Sequence, residues 1–272
     1  MKLSIITINY NNLDGLKKTA ESVINQTWQD YEWIIIDGGS NDGSKEYVES
    51  VASMPNSKVS YWCSEPDKGI YNAMNKGIIR ANGDYLNFMN SGDSFYANDI
   101  LTKVFELPFD EDVIVGYNIG LQSGKIDRLY SKDDTPLKIL LNYNFCQQAL
   151  FIKREFQLQE LYDESLRIIS DWKFYLLACT KYNANFKFID MIVAVMDNTG
   201  ISSTSPSLVH EEKKVVYESV FGKEIADELI AYNVLLSHKH IKDFEYLRNN
   251  SKCGFVFCRR LLSLITKIVR KL

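Results

Sequence analysis

The chain has 272 residues, of which 46% are hydrophobic and 24% charged, and its formal net charge at pH 7 is −4. This composition is typical of a folded globular protein that forms one large α/β domain or two smaller ones. So mild a charge argues against nucleic acid as a partner of the whole chain. The five cysteines include no CxxC pair, which argues against a disulfide framework and a structural zinc site and favours a reducing compartment.

Short apolar runs alternate with amphipathic segments in the first half of the chain, which predicts a mostly parallel sheet flanked by helices. The predicted elements, in chain order, are a strand at 3–8, a helix capped by Asp14 and ending near Gln26, a strand at 32–36, a helix at about 45–53, a strand at 59–62, a helix through Tyr71 and Ile79, and a strand at 85–89. Ligands of open α/β sheets bind beyond the carboxyl ends of the strands. We therefore expect the polar loops around Tyr10, Asp37 and Asp93 to converge on one crevice.

The second half of the chain is less regular. It predicts strands at about 112–122, 125–130 and 149–152, a helix that begins near Ser170 and Asp171, and mostly helical structure from about 207 onward. We expect a first domain over 1–205, followed by a helical extension over 206–272.

The last segment, 254–272, carries apolar side chains on one helical face and basic side chains on the other. This pattern is typical of an interfacial anchor on anionic lipid, and it also fits a helix that packs on the core with a solvated basic face. No apolar run reaches the roughly 18 residues that a membrane span needs, and the N-terminal apolar run is too short for a signal peptide. We expect a cytoplasmic protein, either free or held by 254–272 on the inner face of the cytoplasmic membrane.

Two aspartates follow predicted strands and could serve a phosphorylated ligand. Asp93 could hold Mg²⁺ or Mn²⁺ together with substrate phosphates, although its Asn-Ser-Gly-Asp loop is also ordinary turn composition. Asp37 could accept hydrogen bonds from a nucleobase or ribose, or it could cap a turn. The loop 37–44 contains three glycines but matches neither GxGxxG nor the P-loop, which disfavours a nicotinamide dehydrogenase or an NTPase.

A third aspartate, Asp171, stands at the start of a predicted helix. A carboxylate there could act as a general base on an acceptor hydroxyl. Its alternative role is simply that of an acidic residue favoured by the helix dipole.

Four separated motifs resemble those of bacterial family 2 glycosyltransferases with the GT-A fold, in both order and spacing. They are Ser4–Asn11, Ile36–Ser44, Ser64–Gly77 and Gly83–Ser94. The resemblance covers roughly residues 2–200 and is strongest up to about 95. It implies a nucleotide-binding half over about 1–95 and an acceptor half over about 96–205, within a catalytic domain over 1–205.

The implied activity is inverting transfer of a hexose or N-acetylhexosamine from a nucleotide diphosphate sugar, for which we expect UDP, to a hydroxyl. The expected acceptor is a glycan or a lipid-linked oligosaccharide in bacterial surface polysaccharide synthesis, such as that of O-antigen or capsule. The resemblance assigns the base to Asp171, preceded by Ser170 where the family has Glu. It assigns the last carboxylate of the D-x-D metal motif, which binds Mn²⁺ or Mg²⁺, to Asp93. The residues that it implies on the donor side are Thr7, Asn9, Tyr10, Asp37, Asp67, Lys68, Asn90, Ser91 and Gly92.

The sequence departs from the family pattern at two places. Asn90 stands where an acidic residue often occurs, and Cys146-Gln147-Gln148 stands where relatives commonly have C-H-Q. The segment 198–203 resembles the loop that folds over the donor in relatives and excludes water.

Two other classes of protein remain as alternatives. A non-catalytic nucleotide-sugar binding protein would keep Tyr10, Asp37 and Asp93 but would not need Asp171. A nucleotidyltransferase should carry a basic glycine-rich loop near the N-terminus, and the sequence has none there.

Overall fold

The computed structural model describes residues 1–121, 126–127, 135–142, 144–197, 205–237, 246 and 251–269. The chain forms two compact units, Met1–Glu212 and Lys213–Leu272.

The first half of the first unit alternates strands and helices, as the sequence predicts. Its elements are β1 (Leu3–Asn9), α1 (Leu13–Ile24), β2 (Tyr31–Asp37), α2 (Ser44–Ala52), β3 (Val59–Ser64), α3 (Ile70–Arg80) and β4 (Tyr85–Phe88). Strand β2 is buried along its whole length, as in parallel sheets that are covered on both faces.

The predicted cap of the first helix is wrong. Asn12 is the N-cap of α1, because its side-chain oxygen accepts the backbone N–H of Gly15 over 3.1 Å. Asp14 lies instead in the first turn, where a carboxylate still interacts favourably with the helix dipole.

The rest of the first unit adds shorter helices and five strands that the described residues form. These elements are β5 (Ser94–Phe95), α4 (Ile100–Phe105), β6 (Val113–Gly120), β7 (Ile126–Asp127), α5 (Pro136–Asn142), a 3-10 turn (Gln147–Ala149), β8 (Leu150–Lys153), α6 (Arg154–Gln157), α7 (Ser170–Thr180) and β9 (Phe186–Met196). Strands β6, β7 and β8 and helix α7 coincide with predicted elements, whereas the long strand β9 was not predicted. Some predictions lie outside the described residues, namely position 122 of the first of these strands, positions 125 and 128–130 of the second, and the loop 198–203.

The strands of the described residues form one sheet in the order β3-β2-β1-β4-β8-β6-β9-β5, and β7 pairs with β6. The β3-β2-β1-β4 part is wholly parallel, and β6 also pairs in parallel with β9. The other pairings, β4 with β8, β8 with β6, β9 with β5 and β6 with β7, are antiparallel. The parallel part therefore directs the ends of β1, β2 and β4 to one edge of the sheet.

Helices make up the described part of the C-terminal region. Helix α8 (Pro206–Phe221) begins in the first unit and continues into the second, and α9 (Lys223–Ser237) and α10 (Lys252–Val269) follow. Along α10 the apolar side chains of Phe257, Leu261 and Leu262 are 66%, 47% and 53% exposed. Among the described helices, none is both long enough and apolar enough to cross a membrane.

Candidate active site

Three polar loops meet at the carboxyl ends of β1, β2 and β4. Asn9 and Asp37, the last residues of β1 and β2, are register partners, and the Asn9 amide donates to Asp37 Oδ1 over 2.7 Å. The backbone N–H of Asn11 donates to Ser40 Oγ over 2.7 Å, and the Asn12 amide donates to the Ser91 carbonyl over 3.2 Å. The predicted convergence of these loops is therefore confirmed.

The Asp37 carboxylate is fully buried and binds the loops themselves. It accepts the hydroxyls of Ser40 and Ser64 at 2.6 Å each, the Asn9 amide and the backbone N–H of Ser40. Burial alone would raise the pKa of Asp37, but these hydrogen bonds outweigh it and hold the pKa below its ordinary value. A carboxylate accepts about four hydrogen bonds, so the geometry favours a role in organising the loops over direct contact with a ribose or base.

Thr7 is likewise occupied within the protein. Its side chain is fully buried, and its hydroxyl donates to the Met89 carbonyl over 2.7 Å and accepts the Trp33 indole N–H over 2.9 Å. These bonds link β1 to β2 and to the residue after β4, which favours a structural role for the Thr7 side chain.

Tyr10 and Asp67 flank Gly38 at the mouth of the loops. A Cβ atom at Gly38 would lie 2.8 Å from Asp67 Oδ2 and 3.2 Å from Tyr10 Cδ2, so a larger residue there would displace the Asp67 carboxylate from its present position. The Tyr10 side chain is 68% exposed. Asp67 shapes the turn before α3, since its Oδ1 accepts the N–H of Gly69 over 2.9 Å, and the exposed Lys68 lies in the same turn.

The loop after β4 places Asp93 in a buried position. Its Oδ2 accepts the Gln148 amide over 2.6 Å, and its Oδ1 accepts the backbone N–H of Asp197 over 2.8 Å. Burial, only partly offset by these hydrogen bonds, raises the pKa of Asp93 to about 6. The Asp197 carboxylate is close by, because a Cβ at Gly92 would lie 3.3 Å from Asp197 Oδ2.

Helix α1 holds this loop in place. Lys18 Nζ donates to the Gly92 carbonyl over 2.7 Å, and the Thr19 hydroxyl donates to the Asp93 carbonyl over 2.6 Å and accepts the Gly92 N–H over 3.1 Å. Gly92 itself has φ +102°, a backbone conformation that disfavours residues with a Cβ. The loop is thus pre-formed around the carboxylate.

The loop that bears Asp93 carries oxygen atoms of the kind that bind a hard divalent cation. Besides the carboxylates of Asp93 and Asp197, the buried oxygens Asn90 Oδ1 and Ser91 Oγ have no hydrogen-bond partner in the protein. No group of three or more His, Cys, Asp or Glu side chains that could enclose a metal ion occurs among the residues that the structure describes. Such a site suits Mg²⁺ or Mn²⁺, which commonly take one or two carboxylates and complete their shell with substrate phosphates and water.

Asp171 is the second residue of α7, and its Oδ1 lies 2.8 Å from the hydroxyl of Tyr71. The 3-10 turn connects this region to Asp93. Gln148 bonds the Asp93 carboxylate, while the adjacent Gln147 donates its amide to the Tyr162 hydroxyl over 2.8 Å. The rings of Tyr162 and Tyr71 lie 5.5 Å apart. A continuous run of contacts therefore leads from Asp93 to Asp171.

Comparison with known protein families shows which family the chain belongs to. The family model described as "Glycosyl transferase family 2" matches residues 4–170. The chain belongs to glycosyl transferase family 2. The matched segment contains all of the loops described above and ends one residue before Asp171.

Relatives of this member of the family occur in mycobacteria. An uncharacterized glycosyltransferase of Mycobacterium tuberculosis is 43% identical over 105 residues, which are 38% of this chain and 38% of that relative. The chain thus matches less than half the length of that relative. A PGL/p-HBAD biosynthesis glycosyltransferase of Mycobacterium bovis is 27% identical over 201 residues, which are 72% of this chain and 77% of the relative.

Solved structures share the fold. S. aureus TarS 1-349 in complex with UDP-GlcNAc has a TM-score of 0.67 at 16% identity, covering 94% of this chain and 79% of that one. The mannosyltransferase PcManGT from Pyrobaculum calidifontis, in complex with GDP-Man and Mn²⁺, has a TM-score of 0.57 at 11% identity, covering 97% of this chain and 80% of that one. The α/β GT-A fold predicted from the sequence is confirmed.

Sequence reasoning missed three residues at this site. Gln148 and Asp197 both contact Asp93, and Tyr71 contacts Asp171. Two of them lie in stretches noted in the sequence, Gln148 in Cys146-Gln147-Gln148 and Tyr71 in the Ser64–Gly77 motif. Nothing local marks Asp197, since it reaches Asp93 only because β9 joins the sheet beside β5.

Proposed function

We propose that this protein transfers a sugar from a nucleotide diphosphate donor to a hydroxyl group, with inversion at the anomeric carbon. The proposal rests on one observation: a continuous run of contacts joins two carboxylates, Asp93 and Asp171, that lie in different parts of the site. Asp93 is buried beyond the carboxyl ends of the parallel strands. Asp171 lies in the first turn of α7. The 3-10 turn lies between them, and its glutamines contact Asp93 on one side and Tyr162 on the other.

The donor side comprises the loops after β1, β2 and β4. The exposed ring of Tyr10 offers a face on which a nucleobase can stack, and Asp67 and Lys68 border the same opening. The buried hydrogen bond between Asn9 and Asp37 holds the loops at this opening in place. Asp93, Asn90 and Ser91, with Asp197 beside them, are the residues that would hold Mn²⁺ or Mg²⁺. When bound, the cation would neutralise the charge that develops on the departing diphosphate.

Asp171 acts as the base in this proposal. The acceptor oxygen forms a bond to the anomeric carbon as the bond from that carbon to the diphosphate oxygen breaks, and the bonding electrons leave with the diphosphate. The acceptor proton passes to the Asp171 carboxylate, which later releases it to solvent. One displacement on the side opposite the leaving group inverts the anomeric centre.

The donor is proposed to carry UDP and a hexose or N-acetylhexosamine. Support comes from structures of the same fold, of which TarS holds UDP or UDP-GlcNAc and PcManGT holds GDP-Man. The proposed acceptor is a glycan or a lipid-linked oligosaccharide of bacterial surface polysaccharide synthesis. A lipid-linked acceptor is supported by α10, where the exposed apolar side chains Phe257, Leu261 and Leu262 stand beside the exposed basic residues Arg259 and Arg260.

The test combines donor binding with turnover. A panel of UDP- and GDP-linked sugars is screened with Mn²⁺ for thermal stabilisation, because a ligand that binds only the native state raises its melting temperature. The donor that binds is then offered to glycan and lipid-linked acceptors. Asp171→Asn should keep donor binding and lose turnover by about two to four orders of magnitude.

The matched control is Glu155→Gln, which removes an exposed carboxylate from the first turn of α6. This helix follows β8 near the start of β4, whereas the candidate site lies beyond the end of β4. It should leave binding and turnover unchanged. Donor binding without transfer to any acceptor would favour the non-catalytic alternative, and full turnover in Asp171→Asn would refute the assignment of the base.

A further inference from the structure

One face of α3 holds the segment that leads into α7. The Asn75 side chain exchanges two hydrogen bonds with the backbone of Tyr162, donating to its carbonyl over 2.8 Å and accepting its N–H over 3.0 Å. Asn72 and Asn75 both donate to the Glu164 carboxylate, over 2.8 and 3.0 Å. Because α3 follows directly on the turn of Asp67 and Lys68, the helix connects the donor side to the segment that bears Asp171.

The same segment is held from its other side by α8. The buried carboxylate of Glu212 accepts the backbone N–H groups of Arg167, Ile168 and Ile169 over 2.6, 3.0 and 3.3 Å. These are the three residues before α7 begins at Ser170. The backbone that precedes Asp171 is therefore fixed on both sides by side chains from distant parts of the chain.

Tyr71 completes this arrangement, and it touches Asp171 itself. Its side chain is 4% exposed, and its hydroxyl lies within hydrogen-bond distance of two acceptors, the Ile168 carbonyl and Asp171 Oδ1. A phenol has one proton to donate. The two acceptors therefore compete for that proton as long as Asp171 is ionised.

Protonation of Asp171 removes the competition. A neutral carboxyl group can donate its own proton to the phenol oxygen, which leaves the phenol proton free for the Ile168 carbonyl. Both protonation states of Asp171 are then hydrogen-bonded by the same hydroxyl without any movement of the Tyr71 ring. No proton is gained or lost by Tyr71 in this exchange.

We propose that Tyr71 is a positioning residue for the base: its hydroxyl orients the ionised Asp171 carboxylate and accepts a hydrogen bond from it after proton transfer. This inference rests on the proposed function, because it requires Asp171 to take the acceptor proton. It adds a residue from the donor-side helix to the acceptor half of the site.

Among the residues that the structure describes, three phenols lie near Asp171. Tyr71 reaches it from α3, Tyr162 from the preceding segment and Tyr175 from α7, and burial raises the pKa of all three above its ordinary value. The ion pair between Lys173 and Asp163, 2.6 Å long, flanks the same helix start. The phenols stay protonated through the neutral range. Because Asp93, with a pKa of about 6, titrates in the same range, the profile that reports on Asp171 is that of kcat at saturating Mn²⁺ and sugar donor.

Tyr71→Phe tests the proposal, because it keeps the ring and removes only the hydroxyl. Loss of the hydroxyl costs the ionised carboxylate a charge-assisted hydrogen bond and costs the neutral carboxyl group only a weaker one, so the acid limb of kcat at saturating Mn²⁺ and sugar donor should move to higher pH by about one unit. On the plateau, kcat should fall about tenfold while KM for the donor stays the same, since a hydrogen bond to a charged group has been lost. Tyr31→Phe is the matched control, because that buried hydroxyl donates to the Val23 carbonyl over 2.9 Å, away from the site.

The outcomes separate this proposal from the one on which it rests. A wild-type pH profile and kcat in folded Tyr71→Phe, with Asp171→Asn inactive, would overturn the role of Tyr71 alone. Activity in Asp171→Asn would overturn both. If Tyr71→Phe does not fold, 3-fluorotyrosine incorporated at position 71 keeps both hydrogen bonds with a more acidic phenol. The acid limb should then move to lower pH, and an unmoved limb would contradict the proposal.

Discussion

The side-chain amide of Gln148 donates a hydrogen bond of 2.6 Å to the buried carboxylate of Asp93. Gln148 belongs to the 3-10 turn that precedes β8, whereas Asp93 lies in the loop after β4. Strands β4 and β8 pair in the sheet. The bond between Gln148 and Asp93 therefore joins the candidate metal site to the acceptor half of the domain. It also stabilises an ionised group in a position where burial opposes ionisation.

Asp93→Asn should make the protein more stable and unable to bind the cation. The folded-state pKa of Asp93 is about 6, above the value near 4 of an unfolded chain. The wild-type protein therefore loses stability as the pH rises through the interval between these values, and it carries the full cost of the buried charge above it. Asparagine cannot ionise, so the variant should be more stable by up to about 3 kcal/mol at alkaline pH.

Urea unfolding at about pH 8 and about pH 4 measures this effect. The difference between variant and wild type should fall to about 0.5 kcal/mol at the lower pH, where the unfolded carboxyl group is only about half ionised. Calorimetric titration with Mn²⁺ and a nucleoside diphosphate should show no metal-dependent binding in the variant. A variant that is less stable than wild type at pH 8 would contradict the assigned cost of the buried carboxylate.

Gln148→Ala should make donor binding more sensitive to pH. Without the amide, the ionised Asp93 loses a charge-assisted hydrogen bond, and its pKa should rise by about one further unit. Binding of Mn²⁺ with a nucleoside diphosphate should weaken several-fold at about pH 6.5 and much less at about pH 8.5. Gln29→Ala is the control, because that amide donates to the Gln26 carbonyl within its own turn. An equal loss at both pH values would argue against control through Asp93.

Glu212→Gln should destabilise the first unit and slow turnover. The carboxylate accepts three backbone N–H groups, and an amide in its place presents donors to at least one of them. A buried donor left without an acceptor costs about 1 to 3 kcal/mol, measurable as a lower midpoint of unfolding. The neighbouring Glu211 is exposed, and Glu211→Gln should change neither stability nor rate. Unchanged stability in Glu212→Gln would show that the segment before α7 is held by other contacts.

The last helix should attach the protein to anionic membranes. A chain that lacks residues 254–272 should no longer float with vesicles that contain anionic lipid, since it loses the exposed apolar side chains and the basic face together. Arg259→Ala combined with Arg260→Ala should weaken vesicle binding about tenfold or more, because each basic residue near such a surface contributes about 1 kcal/mol. Unchanged flotation of the shortened chain would rule out α10 as an anchor.

The parallel half of the fold was predictable because its signals are local. Each of β1, β2 and β4 is a short apolar run followed at once by turn residues, and parallel pairing brings their ends together whatever the side chains do. The cap of α1 was less predictable, because Asn12 and Asp14 are both good capping residues and the entry angle of the chain decides between them.

The roles of individual polar residues at the strand ends were not predictable, because they depend on hydrogen-bond partners that are distant in the sequence. Thr7 and Asp37 are polar residue types that often bind ligands, yet both are fully buried and hydrogen-bonded within the protein. Their partners Trp33, Met89 and Ser64 lie up to 82 positions away. Contacts of this range follow from the sheet order rather than from any local pattern, and the same holds for Asp197 and Tyr71.

Glu212 also bears on how chimaeras within this family should be joined. Although the sequence suggested a boundary at residue 205, the acceptor for the three amides before α7 comes from a helix that begins after that point. A splice at 205 that supplied a foreign helix without a carboxylate at the matching position would leave those amides unbonded. Junctions placed beyond Glu212 would keep the native acceptor with the segment that it supports.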